Sequence, residues 1–535
     1  MKLITAALFL AAQLLPAATG LETLVKIDSG WVSGTGTTVR AYKGIPYAAP
    51  PVGDLRWKPP QPVKPWKNIL VANNFPNVCP QALTFAGPPQ KEDCLGLNVW
   101  TPAKSASEKL PVMVWIHGGG FAIGASSQSV YDGEPLAAQG VVLVSINYRL
   151  GIFGFLAHPA LSQESANHVS GNYALLDMVA ALEWVKRNVS AFGGDPNNVT
   201  IFGESAGGTA VCLLTVMPQA HGLFQKVISE SAWNINTPIS HLRESWYGRI
   251  PMEKFGEKLG DLATLRSKST AEILKMGGGL QVGGDAADRG ESYLPVVDGY
   301  VLPDDPGRMI AQGKIQNVAL IAGTNADEGT LAGGPPVKNL ADLQKYAAKQ
   351  FGAHTSALLA LYPAASDAEA HSVAEHIMTD FSFLQGTHLV LNAASKANPK
   401  TYQYEFTRLN GTGRKTKWGV YHASELPYVF GTLPDSIYGM MPSMFGDFSA
   451  DPDSYNEQDA KLSKAMSAAW VAFAKSGNPN SPGLVEWPAY NASKESYLDF
   501  GDRIAAKLSL RKKRIDLLEE ITAGMREHAA SAGTR

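Results

Sequence analysis

Ser205 stands in the pentapeptide Gly203-Glu204-Ser205-Ala206-Gly207, the G-x-S-x-G spacing of a nucleophile elbow. The β-branched and aromatic run Val199 to Phe202 precedes it, and a helical pattern follows. A strand that turns sharply into a helix crowds its own backbone. Side chains flanking the serine would clash there, and Gly203 and Gly207 remove the clash. The hydroxyl is then exposed at the carboxyl end of the strand, and the amide of Ala206 points at the group under attack. Taken alone, the pentapeptide also suits a tight turn with an inert serine. The strand before it and the helix after it favour the catalytic reading.

A serine hydroxyl is a poor nucleophile until a base takes its proton, and the usual base is a histidine held by a carboxylate. In chains with this elbow the order is serine, acid, histidine. Eleven histidines are available. His422 lies in Gly419-Val420-Tyr421-His422-Ala423-Ser424-Glu425-Leu426-Pro427, expected as a loop after a late strand, where the last member belongs. For the acid, the apolar run Val318 to Ala322 leads into Gly323-Thr324-Asn325-Ala326-Asp327-Glu328-Gly329. A carboxylate at the end of a core strand suits the role, and spacing alone leaves Asp327 and Glu328 both open. Attack on a carbonyl also needs backbone N–H groups aimed at the developing negative charge. His117-Gly118-Gly119-Gly120-Phe121 follows another expected strand and has the H-G-G-G form that supplies them. Gly119, Gly120 and Ala206 are the candidate oxyanion donors. This chemistry needs no metal and no organic cofactor. The three cysteines, and His371 and His376 at a separation that does not share a helix face, form no metal pattern.

These groups must be carried by core elements. Val112 to Ile116, Val141 to Ile146, Val199 to Phe202, Lys226 to Ser229, Val318 to Ala322 and Thr401 to Phe406 read as strands. Ala174 to Val189, Ala460 to Ala474 and Asp516 to His528 read as helices. Alternation of the two argues for a large, mostly parallel sheet covered on both faces. Residues 22 to 48 have the Gly-broken apolar stretches of an antiparallel β region, followed by the extended Pro-rich stretch 50–65. Residues 250 to 400 read as helical and loop-rich insertions, with a Gly-rich segment at Gly277-Gly278-Gly279 and Gly283-Gly284.

The length of 535 residues would suit two or more domains, yet no linker is long or polar enough to divide the chain, so 21–535 is read as one domain. Apolar residues make up 45% and charged residues 18%, with a net charge of −2. That is a globular composition, and it gives no reason to expect nucleic acid or an anionic membrane as a partner. Residues 1–20 read as a signal peptide: Lys2, then the apolar stretch Ile4 to Leu15, Pro16, and small residues at Ala18-Thr19-Gly20. The apolar run is too short to span a bilayer comfortably, so no membrane anchor is expected in the mature chain. A periplasmic or extracellular location follows. Export permits a disulfide; Cys79 and Cys94 are close enough to close a short loop, whereas Cys212 falls in the apolar helix after the serine.

Together the chain resembles the type-B carboxylesterases, which include cholinesterases and bacterial para-nitrobenzyl esterases. The resemblance covers nearly the whole mature chain. It rests on G-I-P-Y-A-A-P-P-V-G-D-L-R, E-D-C-L-G-L-N-V-W, H-G-G-G-F, N-Y-R-L-G, F-G-G-D-P-N-N-V-T-I-F-G-E-S-A-G-G, G-T-N-A-D-E-G-T and H-A-S-E. It implies an α/β-hydrolase fold, a small-molecule ester substrate and a Ser205–Glu328–His422 triad, choosing Glu328 over Asp327. It also implies a Cys79–Cys94 disulfide and structural ion pairs Arg56–Glu92 and Arg149–Asp177. Glu204, Ser231 and Glu425 would form a polar support network behind the triad. Two departures bear on substrate. Between the two cysteines the only aromatic residue is Phe85, where cholinesterases keep a tryptophan that binds quaternary ammonium by cation–π contact; a choline ester is therefore not expected. The segment usually reading Q-S-G is Glu230-Ser231-Ala232, followed by Trp233, a candidate wall of the acyl pocket. An amide, carbamate or lactone hydrolase on the same machinery is the alternative, and a non-catalytic binding domain the remoter one. Neither the particular ester nor the oligomeric state is legible.

Overall fold

The computed structural model describes residues 23–83, 87–278, 291–435 and 455–532. The leader expected at 1–20, Phe85 and most of the Gly-rich segment lie outside the described residues.

The described strands are β1 (Leu24–Ile27), β2 (Gly30–Ser33), β3 (Arg40–Pro46), β4 (Ile69–Val71), β5 (Gly96–Thr101), β6 (Leu110–Ile116), β7 (Val142–Ile146), β8 (Gly194–Glu204), β9 (Lys226–Glu230), β10 (Ala319–Asn325), β11 (Thr401–Phe406), β12 (Ser496–Phe500) and β13 (Ile504–Leu508). Ten of them form one sheet in the order β13-β12-β11-β10-β9-β8-β6-β7-β5-β3, while β1, β2 and β4 form a small separate one. From β12 to β7 every pairing in the large sheet is parallel. The outer pairs β12–β13, β7–β5 and β5–β3 are antiparallel. This is the α/β-hydrolase architecture, with the antiparallel N-terminal region and helical insertions that the sequence suggests.

Strand periodicity explains how the sheet acquires two cores. Along β6, Val112, Val114 and Ile116 pack into one hydrophobic cluster, and Met113 and Trp115 into another, as successive side chains point to opposite faces. The first core is covered by helices that include Tyr173–Asn188, Ala206–Val216 and Gln385–Ala397, the second by Glu457–Ser476. Because both faces are covered, the central strands are continuous apolar runs.

Those runs made the central strands readable, and β5 shows where the signal failed. Asn98 interrupts its apolar pattern, yet it is fully buried. Its amide donates to Ser126 Oγ and Ser145 Oγ and accepts from the backbone of Gly44, so a polar residue is tolerated in the middle of a buried strand. The strands β4, β12 and β13 were also absent from the sequence reading. The elbow strand starts at Gly194, five residues before its apolar run.

Candidate active site

Ser205 has φ 58° and ψ −123°, a conformation that costs a non-glycine residue about 1–3 kcal/mol and persists only where its surroundings impose it. The imposing contacts are visible. Its amide donates to the carbonyl of Glu230 at 2.9 Å, and its carbonyl accepts from the Thr209 amide at 2.8 Å. A Cβ on Gly207 would stand 2.0 Å from the Ile116 carbonyl oxygen, and one on Gly203 would stand 2.6 Å from both that oxygen and the Gly207 backbone. The two glycines therefore let β8, the helix Ala206–Val216 and the end of β6 meet.

The glycine loop lies directly against this turn. A Cβ on Gly118 would come 3.0 Å from Ser205 Cβ. Gly119 (φ 103°), Gly120 (φ 61°) and Phe121 (φ 58°) follow with left-handed backbone. The loop closes through hydrogen bonds from Ala122 and Ile123 to the Gly119 carbonyl. Gln81 braces it from outside: its side chain accepts from the Gly124 amide at 2.8 Å and donates to the Gly124 carbonyl at 2.9 Å. Gln81 belongs to the loop closed by the Cys79–Cys94 disulfide, so the bridge supports the glycine loop.

His422 and Glu328 meet from two loops. His422 Nδ1 is 2.6 Å from Glu328 Oε2. The other oxygen of Glu328 accepts from Ser231 Oγ at 2.5 Å and from the Asn325 amide at 2.7 Å. Asp327 takes a different task. Its carboxylate accepts from the Val420 amide at 2.7 Å, and its own amide donates to the Val420 carbonyl at 3.1 Å. Adjacent carboxylates thus hold, respectively, the ring and the backbone of the histidine loop. Phe383, from the π-helical turn Asp380–Leu384, lies 4.9 Å from the imidazole between ring centres.

On its far side, His422 Nε2 is 3.0 Å from Oε1 of Glu204, the residue immediately before Ser205. Burial opposes a charged imidazole, but the carboxylates of Glu204 and Glu328 outweigh it and hold His422 well above its ordinary value. Burial raises Glu204, against the pull of His422. Glu425 stands well above the carboxylate range, first through burial and then through the charges of Glu204, Glu230 and Glu328. Asn325 Nδ2 ties this group together by donating to Glu425 and to the Tyr421 carbonyl. His117, by contrast, is pushed down to about 4 by burial and stacks on Tyr148, so it is neutral scaffold for the glycine loop.

Trp233 is half-buried at the wall of a cleft whose lining includes Phe121, Thr209, Leu213, Ile239 and Met252. Thr209 Oγ1 donates to the Trp233 carbonyl and accepts from the Trp233 amide, which fixes that backbone to the helix beginning at the serine. Arg56 clasps Glu92 with two hydrogen bonds, and Arg149 clasps Asp177 likewise; both pairs are buried scaffold. Cys212 is buried, with its thiol pushed up to about 11. Asn325, Phe383 and Trp470 have no role in the sequence reading of the site, and Glu230 enters it only as part of the segment before Trp233. Asn325 sits inside the G-T-N-A-D-E-G segment and was within reach. Phe383 and Trp470 arrive from distant helices and carry no local signal. Among the described residues no cluster of His, Cys, Asp and Glu could hold a metal, and no helix is long and apolar enough to cross a membrane.

A strained serine at a strand–helix turn, on a sheet of this order, defines an α/β-hydrolase. The chain belongs to the carboxylesterase family, whose model matches residues 22–518, and it is a carboxylic ester hydrolase. It is 39% identical over 487 residues to the fumonisin B1 esterase of Sphingopyxis macrogoltabida, covering 90% of this chain and 86% of that one. It is 38% identical over 480 residues to the para-nitrobenzyl esterase of Bacillus subtilis, covering 88% and 92%. A solved para-nitrobenzyl esterase structure superposes with a TM-score of 0.77 at 34% identity, covering 93% of this chain and all of the other.

Proposed function

We propose that this enzyme is an exported serine carboxylesterase working by two-step acyl transfer through Ser205, His422 and Glu328. The observation that carries the reading is the 2.6 Å contact of Glu328 with His422 Nδ1, beside a serine held at φ 58°. In the first step His422, neutral with its one proton on Nδ1 toward Glu328, turns Nε2 from Glu204 to the neighbouring Ser205 Oγ and takes its proton as Oγ attacks the ester carbonyl. The amides of Gly119, Gly120 and Ala206 receive the oxyanion. The imidazolium, stabilised by Glu328, returns the proton to the departing alcohol and leaves an acyl-serine. Water then repeats the sequence and releases the acid. Ser231 holds Glu328, Glu204 meets the imidazole at Nε2, Glu425 is tied in through Asn325, and Trp233 bounds the space for the acyl group. Cleavage of the leader near Leu21 delivers the chain to the periplasm or the medium, where the Cys79–Cys94 bridge is stable.

The test is hydrolysis of para-nitrophenyl esters of increasing acyl length by the protein lacking residues 1–20, with Ser205→Ala beside it. Activity in the wild type that is lost in the variant is the expected result. A folded variant with wild-type turnover contradicts the assignment.

A further inference from the structure

Glu230 is a buried acid that the acyl-transfer scheme does not use. It lies opposite Glu204 in the parallel pairing of β8 and β9. The same row continues to Gly323 on β10 and Tyr404 on β11. Register partners in adjacent strands send their side chains to one face, so Glu204, Glu230 and Tyr404 share a face. A Cβ on Gly323 would stand 2.3 Å from the Tyr404 ring; the phenol therefore fills the place of a side chain at 323, next to Glu230. Trp470 Nε1 donates to Glu230 Oε1 at 2.9 Å. Oε2 of Glu230 and the hydroxyls of Tyr404 and Tyr131 are buried and have no hydrogen-bond partner among the described residues.

The backbone of Glu230 is equally placed. Its carbonyl holds the Ser205 amide, and the next residue, Ser231, holds Glu328. The charged and titratable groups around it are Glu204 on β8, Tyr404 on β11, Tyr131 from the turn Ser129–Tyr131, and Glu425 from the histidine loop. Glu328 stands beyond, through its field on Tyr404 and Glu425. His422, in contact with Glu204, is the basic group that this set of acids addresses.

We propose that Glu230 is a positioning residue that carries a proton beside Glu204 while the enzyme turns over, and that loss of this proton sets the alkaline limit of the reaction. The proposal rests on the acyl-transfer reading above. Burial pushes the Glu230 carboxyl up to about 8, against the Trp470 hydrogen bond and with the help of the Glu204 charge. Below that pH the acid is neutral, and Glu204 faces His422 without a second anion beside it. Above it, a new negative charge stands next to Glu204 and one strand from the serine. It opposes the oxyanion, which forms only in the transition state, so the loss falls on kcat rather than KM.

The experiment compares kcat and KM across pH for the wild type and Glu230→Gln on one para-nitrophenyl ester, corrected for spontaneous hydrolysis. Glutamine has the same shape and keeps an oxygen for Trp470. The wild type is expected to lose about tenfold in kcat through a descending limb centred near 8, with KM nearly constant. Glu230→Gln is expected to share the ascending limb and lack the descending one. The same descending limb in both proteins overturns the proposal. Trp470→Phe gives an independent arm: removing the donor that lowers Glu230 should move the wild-type limb to higher pH, and an unmoved limb contradicts the proposal. Full activity in Ser205→Ala would instead overturn the acyl-transfer reading itself, whatever the pH profile.

Discussion

Asp327 and Glu328 are neighbours with the same functional group, and one holds the imidazole while the other holds a backbone amide. Their spacing from the strand could not separate them, because a one-residue step at a strand end redirects the side chain, and the loop that receives it is distant in sequence. The family resemblance implies Glu328, and in the structure it is Glu328 whose Oε2 lies 2.6 Å from His422 Nδ1. What the neighbouring residues did not show was how Glu328 is held. Ser231 and the Asn325 amide both donate to its second oxygen. Ser231→Ala removes a hydrogen bond to a charged acceptor, an interaction of about 1.5–3 kcal/mol. The expected outcome in steady-state kinetics is a fall of roughly tenfold in kcat with KM little changed, because Glu328 is asked to stabilise the imidazolium only as the proton moves. A raised KM with normal kcat would place Ser231 in substrate binding instead. Protonation bears on the same residue. His422 must be neutral to act as base, and its carboxylate neighbours hold it above its ordinary value. The ascending limb of kcat/KM against pH is therefore expected at higher pH than an ordinary histidine would give, and a limb at or below that range would contradict it.

At the scale of elements, three of the parts read from the sequence were legible because each ends a strong apolar strand, whereas His422 follows β11 only after the short helix Gly411–Thr416. The elbow ends β8, the acid loop ends β10, and the glycine loop ends β6. The elements that brace them were harder to read. β5 hides behind Asn98, whose hydrogen bonds are all tertiary. The π-helical turn at Asp380–Leu384 brings Phe383 to His422, and nothing in its own sequence marks it. The segment after β9 carries Trp233 to the wall of the cleft. Asn234 donates its amide to the Ser382 carbonyl at 2.7 Å, and Thr209 fixes Trp233 to the nucleophile helix. Trp233 is thus a wall held in place from two sides. Trp233→Ala opens the cleft without moving its supports, and the acyl-length profile should shift toward longer chains. A pocket contact of this kind discriminates by roughly tenfold per methylene or more. An unchanged chain-length preference would remove Trp233 from the acyl pocket.

For the whole molecule, strand and helix alternation was enough to give the mostly parallel sheet, and glycine motifs at strand ends were enough to give the elbow. The order of strands was not legible, since it depends on long connections such as the one from β9 to β10. That order matters for function. It sets β8 between β6 and β9, so that the glycine loop lies on one side of Ser205 and the residues that hold Glu328 lie on the other. It also aligns Glu204, Glu230, Gly323 and Tyr404 in one row, a juxtaposition that no local pattern displays. Distant braces then fix the loops: the Cys79–Cys94 loop through Gln81, and Asp327 across to Val420. The claim that joins these scales is that the ester's acyl group passes through Ser205. Its most direct test is mass analysis of peptides from enzyme quenched during turnover of a slowly deacylating para-nitrophenyl ester. The account predicts the acyl mass on the peptide bearing Ser205 and its absence from Ser205→Ala treated in parallel. Sustained turnover with no acyl-serine, or acylation at another residue that tracks with activity, would contradict it.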